Sequence, residues 1–126
     1  MRNRASTVVA CLVLLSICVV AIVADISMAM SVAPNVLVLS APTNWITIHT
    51  HMLLSSVDCS TLDVAVNGNS VPIAVVKADS CGLMVLKIRQ AEVDPYVSPP
   101  TATFVVIGST NTGLTFEGCD TIRVKD

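Results

Sequence analysis

The fold of this chain is indicated most directly by residues 62–68, which read LDVAVNG. Large apolar side chains alternate with smaller or polar ones over residues 62–66, and a period of two is typical of a β-strand with one buried face. Asn67 and Gly68 follow at once, and both residue types tolerate the positive φ angles of a tight turn. We therefore expect a strand over residues 62–66, a tight turn and a second strand over residues 70–77.

Similar short patterns recur along the chain and predict further strands. Gly82 follows a turn-forming stretch and precedes an apolar run, which indicates a hairpin, and three prolines limit residues 89–100 to a crossover with at most one helical turn over residues 90–93. The apolar residues are mainly β-branched or Leu, with only 3% aromatics, which favours an all-β chain. The other expected strands cover residues 36–39, 45–51, 83–88, 102–107, 114–116 and 121–124.

About seven short strands in roughly 100 residues, joined by turns rich in Gly and Asn, favour a β-sandwich of immunoglobulin-like architecture. A small barrel is the alternative. In residues 45–51 the alternation places Trp45, Thr47, His49 and His51 on one side of the strand. The predicted core consists of Leu37, Ile46, Ile48, Leu62, Val64, Val66, Leu86, Ile88, Val105, Ile107, Phe116 and Ile122.

The first thirty residues have the layout of an export signal. Arg2 and Arg4 precede an uncharged apolar run over residues 7–24, and Ser27 and Ala29 supply the small side chains that a signal peptidase accepts. The alternative is an uncleaved membrane anchor helix, because eighteen uncharged residues approach the length of about 20 that spans a bilayer. We therefore divide the chain into a signal peptide or anchor (1–29), an extended lead-in with the first strand (30–44) and the sandwich (45–126).

The net charge of the chain indicates which classes of binding partner to expect. The whole chain has a formal net charge of −2, and residues 30–126 alone carry about −3. Nucleic-acid binding needs several Lys or Arg on one face, and no basic cluster is visible along the sequence, so we expect no nucleic-acid partner. Contact with a membrane is expected only through the N-terminal segment, if that segment is retained.

Four stretches carry a resemblance to a known class of module. Residues 45–50 (WITIHT), 62–68 (LDVAVNG), 77–85 (KADSCGLMV) and 116–124 (FEGCDTIRV) resemble the immunoglobulin-like modules of secreted and surface bacterial proteins. The resemblance spans about residues 45–125 and implies a spacer, display or adhesion role without catalysis. His51 and Met52 depart from the pattern, as do three cysteines at turn positions.

The cysteines predict one disulfide in an exported protein. Cys59, Cys81 and Cys119 lie at strand ends or in turns, and an oxidising compartment preserves disulfides. A bridge from Cys59 to Cys81 closes a loop of about twenty residues, which is worth roughly 3 kcal/mol in the chain-entropy description. Cys119 is then the free thiol, available to link two chains or simply reduced.

The only candidate for metal chemistry is the pair His49 and His51. Two residues apart on a strand, both imidazoles project from one face and can bind Cu²⁺ or Zn²⁺, with Met52 or a cysteine as a further ligand. The competing interpretation is a pair of solvated surface histidines. Scattered acidic residues near turns give a weaker case for Ca²⁺, and Asp79 and Asp120 are expected to hydrogen-bond their own turns.

No nucleophile motif or phosphate-binding loop is evident, so we expect no enzyme and no cofactor. The sequence predicts an exported, non-enzymatic immunoglobulin-like module with a structural, adhesion or display role, secreted or held in the periplasm or at the cell surface. Its expected partner is a protein or a surface polymer. The alternative is a small metal-binding protein of the envelope that uses His49 and His51.

Overall fold

Ten β-strands account for most of residues 24–41 and 44–126, which are the residues described by this computed structural model. The expected all-β chain is confirmed, with ten strands in place of the eight segments predicted. The segments expected over residues 114–116 and 121–124 form one continuous strand. The connections include one helical turn, α1 (Gln90–Val93), where such a turn was predicted, and two short 3-10 turns (Leu54–Ser56 and Asp94–Tyr96). The strands are β1 (Ile26–Ser27), β2 (Met30–Ala33), β3 (Val36–Val38), β4 (Trp45–Leu53), β5 (Val57–Val66), β6 (Asn69–Val71), β7 (Val75–Ala78), β8 (Leu83–Arg89), β9 (Thr101–Thr110) and β10 (Thr115–Lys125).

The hairpin between β5 and β6 forms as the sequence indicates. Asn67 and Gly68 both have positive φ, at 49° and 85°, and Val66 pairs with Asn69 across the turn. The single strand expected over residues 70–77 is instead two strands in different sheets. Pro72 follows β6 and has no N–H to continue the ladder, so the chain leaves one sheet there and joins the other as β7.

The strands form two sheets. A six-stranded sheet has the order β1, β10, β9, β5, β6, with β3 also pairing with β10, and a four-stranded sheet has the order β2, β4, β8, β7. β1 and β3 run parallel to β10, while the other pairs are antiparallel. The chain thus alternates between the sheets from β1 to β5, and it crosses again between β6 and β7 and between β8 and β9. The crossing between β2 and β3 divides the lead-in predicted over residues 30–44, and the crossing between β6 and β7 divides the strand predicted over residues 70–77.

Both sheets contribute to one hydrophobic core, which makes the fold a two-sheet sandwich. Nine of the twelve predicted core residues are buried, and Leu62 is partly buried and packs against the core. Val105 and Ile107 were predicted wrongly, because the buried side chains of β9 are those of Ala102, Phe104 and Val106. Both faces of this strand carry apolar side chains, so alternation alone did not identify the inward face. The confirmed residues are Leu37, Ile46, Ile48, Val64, Val66, Leu86, Ile88, Phe116 and Ile122.

The N-terminal prediction falls partly outside the described residues. The signal peptide or anchor was predicted over residues 1–29, of which residues 1–23 lie outside the described part of the chain. Residues 24–29 belong to the fold. Met28 is 5% exposed and lies in the core, and its N–H donates to the carbonyl of Glu117 at 2.8 Å. Gly118 is required at this approach, because a Cβ there would lie 2.6 Å from the Met28 carbonyl oxygen.

Candidate interaction face

Trp45 begins β4 and lies directly opposite Arg89, the last residue of β8. The guanidinium carbon of Arg89 is 4.6 Å from the centroid of the indole ring, and Nζ of Lys87 is 5.5 Å from it. Both distances fall within the range of about 6 Å in which an aromatic face attracts a cation. One ring and two cations therefore form an organised cluster on the four-stranded sheet.

This cluster belongs to the outward side of the sheet. Ile46 and Ile48 are fully buried, so the alternation of β4 places Trp45 and Thr47 on the opposite side, towards solvent. Residues directly opposite one another in antiparallel strands share a face, and Lys87 lies opposite Thr47. Val75 of β7 lies opposite Lys87 in the same way. We call this surface the basic face and define it by the outward side chains of Trp45, Thr47, His49, Val75, Lys77, Lys87 and Arg89.

Val85 is an apolar residue of the basic face that is almost completely buried. It lies between His49 of β4 and Lys77 of β7 in the strand register, and it is only 3% exposed although it is not part of the core cluster. Long polar side chains commonly cover apolar surface while keeping their charged ends in water. The basic face therefore combines cationic side chains with two apolar ones, the buried Val85 and the exposed Val75.

The two sheets differ in the charged residues that their strands carry. The four strands of the smaller sheet contain no Asp or Glu, yet they carry three of the five Lys and Arg side chains of residues 24–41 and 44–126. The carboxylates that lie within strands all belong to the larger sheet, on β5 and β10. A chain with a net charge of −2 thus presents one locally cationic surface.

The two histidines lie where the sequence places them, on one side of β4 and exposed. His49 lies opposite Val85, and the His51 N–H donates to the Ala29 carbonyl at 3.0 Å. Met52, considered as a further ligand, packs against the hydrophobic core. Within residues 24–41 and 44–126 no group of three or more His, Cys, Asp or Glu is arranged to hold a metal ion, so the pair offers two ligands.

The cysteine predictions need correction. Cys59 lies in β5 and Cys81 lies in the turn between β7 and β8, and both are exposed free thiols, so the bridge predicted between them is not formed. Their spacing along the chain suggested a loop closure, but the fold assigns them to different sheets. Cys119 in β10 is disulfide-bonded, so the prediction that it is the free thiol is also wrong.

The acidic turn residues mostly serve local structure. Asp79 accepts hydrogen bonds from the N–H groups of Cys81 and Leu83 at 2.8 and 3.0 Å, as predicted for its own turn. Asp120 was expected to do the same, but it accepts from Val32 in the other sheet. The candidate Ca²⁺ ligands do not form a group of three within the described part of the chain.

Glu117 is a buried carboxylate that sequence reasoning did not single out for its environment. It is 9% exposed, and burial raises the pKa of this carboxyl by removing water from its charged form. It lines a cavity of about 290 Å³ at the junction of β1 and β10, on the larger sheet and away from the basic face. The other lining residues are Ala24, Ile26, Ser27, Met28, Gly118 and Cys119.

Sequence reasoning also missed the basic face. Lys87 and Arg89 alternate along one strand, which indicates a shared face, but Lys77 and Trp45 lie on other strands. Only the register of β4, β7 and β8 shows that these side chains are neighbours. The absence of a basic run along the chain therefore did not predict the absence of a basic surface.

No model of a known protein family matches this chain, and a search of curated proteins finds no significant match. Across residues 24–41 and 44–126, no helix has the length and apolar character needed to cross a membrane. The fold and the site define a mostly-β, two-sheet sandwich with one cationic, aromatic-bearing face.

Proposed function

We propose that this chain is an exported, non-enzymatic immunoglobulin-like module that acts in adhesion or display, secreted or held in a bacterial cell envelope. The observation that carries the proposal is the basic face, where Lys87 and Arg89 flank Trp45 on a sheet without carboxylates. Aromatic rings and arginine are enriched in interaction surfaces because they combine contact area with directed polar groups. Arg2 and Arg4 before the uncharged apolar run of residues 7–24 support export, and the two-sheet sandwich is compatible with an immunoglobulin-like module.

Two experiments test this proposal. The full chain, expressed with a C-terminal epitope tag in a bacterial host, should be recovered from the envelope or the medium. Beads coated with the exported protein should adhere to intact cells or to their shed surface material. The variant Lys87→Gln/Arg89→Gln should reduce adhesion about tenfold, equivalent to about 1.4 kcal/mol for loss of two charged contacts.

A matched control removes the same charge from the other sheet. Arg123 and Lys125 lie on β10, so Arg123→Gln/Lys125→Gln changes net charge equally without touching the basic face. Adhesion should persist in this variant. Equal adhesion by both variants and the parent protein would count against the basic face as the contact surface.

The second candidate function is metal binding by His49 and His51, and their exposure on one face of β4 favours it. A ligand that binds only the folded state raises its stability, so Zn²⁺ or Cu²⁺ should then raise the Tm. That rise should disappear in His49→Ala and in His51→Ala. A Tm that does not respond to either ion would remove this candidate.

A further inference from the structure

We infer that the basic face binds an acidic polysaccharide, with carboxylates of the polymer at Lys77, Lys87 and Arg89. This inference rests on the proposed function, because it takes the basic face as the contact surface and adds the chemical class of its ligand. Charge complementarity carries it. The four-stranded sheet presents these cations and His49 without a carboxylate in any of its strands.

The spacing of the cations suits a polymer. Lys87 and Arg89 are two residues apart on β8, a separation of about 6.6 Å along a strand. Lys77 lies opposite Val85 and is therefore diagonal to Lys87, at about 7–8 Å. The three cations thus follow a line across two strands. A chain with repeated carboxylates can occupy several of them at once, which raises affinity through the high effective concentration of linked groups.

The remaining groups of the face match a hydroxyl-rich ligand. β4 and β8, which carry Trp45, Lys87 and Arg89, are the two central strands of the sheet, so their backbone groups are used in pairing and a peptide strand has no edge to join at these residues. Lys77 lies on the edge strand β7. A ligand on the central strands of this face therefore contacts side chains. These include the Thr47 hydroxyl and the His49 imidazole, on the same strand as the Trp45 ring. Hydroxyl and imidazole groups both donate and accept hydrogen bonds, as sugar hydroxyls require.

Two other anionic partners fit less well. Amphipathic membrane-binding surfaces insert several large apolar side chains into the lipid. The apolar side chains beside the cations of this face are Val75, which is opposite Lys87 and 36% exposed, and Val85, which is 3% exposed. Duplex DNA is bound by strongly basic domains, whereas this chain has a net charge of −2. Duplex DNA and lipid vesicles are therefore included in the test as comparison ligands.

The test uses the exported protein and polygalacturonate as the probe, with binding measured by calorimetry in low-salt buffer. Binding is expected to polygalacturonate and not to dextran, a neutral polymer. Lys87→Gln/Arg89→Gln should weaken it about tenfold, and Arg123→Gln/Lys125→Gln should leave it unchanged. Added salt should weaken it, because exposed charges are screened. Circular dichroism of each variant confirms that the fold is retained.

Several outcomes would overturn the inference. These are no binding to polygalacturonate, equal weakening by both double variants, or equally tight binding to duplex DNA or to phosphatidylglycerol vesicles. The proposed function is judged separately by the bead assay. Cell adhesion that depends on Lys87 and Arg89 without polygalacturonate binding would retain the adhesion role and reject this ligand class, while loss of both results would reject both.

Discussion

The carboxylate of Asp120 accepts a hydrogen bond from the backbone N–H of Val32 at 2.8 Å. Asp120 lies on β10 of the six-stranded sheet and Val32 on β2 of the four-stranded sheet, so this bond joins the two sheets. β2 is an edge strand, and Val32 is only 3% exposed. The hydrogen bond itself is partly buried. A donor that loses its partner away from water costs about 1–3 kcal/mol, so the side chain stabilises the edge of the sandwich.

Replacing Asp120 with alanine should therefore lower the free energy of unfolding by about 2 kcal/mol. Asp120→Asn keeps an acceptor oxygen and should lose less. Urea unfolding of both variants measures the difference. Asp126→Ala, at an exposed position, is the control and should stay within about 0.5 kcal/mol of the parent. An equal effect at both positions would show that the bond to Val32 contributes no stability.

The orientation of β9, which buries one valine and leaves its neighbour partly exposed, gives a second prediction that compares two valine-to-alanine variants. Val106 is fully buried, whereas its neighbour Val105 points to the opposite side and is half-buried. Val106→Ala removes buried methyl groups and should cost about 2 kcal/mol, while Val105→Ala should cost less than about 1 kcal/mol. Chemical denaturation of the two variants compares them directly. A larger loss at Val105 would mean that the register of β9 is shifted by one residue.

Stability should depend on pH through Glu117. Burial raises the pKa of this carboxyl, so the folded protein keeps its proton at pH values where the unfolded chain has lost it. The cost of burying the charge is therefore absent below the ordinary glutamate pKa of about 4.3 and develops as pH rises through the raised pKa of the folded state.

Glu117→Gln removes that charge and should raise the free energy of unfolding at neutral pH, with no gain in acid below about pH 4. Thermal unfolding across this pH range measures the difference from the parent protein. Glu92→Gln, at an exposed position on α1, is the control. A difference between Glu117→Gln and the parent that is independent of pH would contradict the assignment.

The segment over residues 25–29 should be needed for full stability. Met28 is buried in the core and Asp25 accepts a hydrogen bond from the N–H of Thr115 at 2.9 Å. A protein beginning at Met30 loses both contacts, and the loss of Met28 alone resembles a large-to-small core substitution, which costs about 2–5 kcal/mol. We expect a lower Tm than for a protein beginning at Asp25. Equal Tm values would show that β1 contributes no stability.

Cys59 and Cys81 should react as independent thiols. Both are exposed and free, so alkylation of the folded, unreduced protein should add two labels at these positions. Cys59→Ser should leave the Tm unchanged, because no bridge is lost. A native disulfide usually contributes about 2–5 kcal/mol. A fall of that size, with no labelling of either thiol, would indicate that the two residues are bonded after all.

The sequence predicted turns and strand faces correctly where residues adjacent in the chain decide the structure. Asn67 and Gly68 predicted their turn because their side chains tolerate positive φ, and both adopt it. The alternation in β4 predicted which side chains are buried because successive residues of a strand face opposite ways. Most core positions followed from the same rule. It did not identify the inward face of β9, where apolar residues lie on both sides.

Tertiary structure decided everything that depends on which strands become neighbours. The sequence spacing of Cys59 and Cys81 suggested a bridge, but Cys59 lies in β5 of the larger sheet and Cys81 in the turn between two strands of the smaller sheet. Conversely, Trp45 and Arg89 are 44 positions apart in the numbering and lie directly opposite each other. Pairing between strands is set by burial of the whole core and not by local propensity. The sequence by itself determined strands, turns and most of the core, and only the folded chain determined that Lys77, Lys87 and Arg89 share one face.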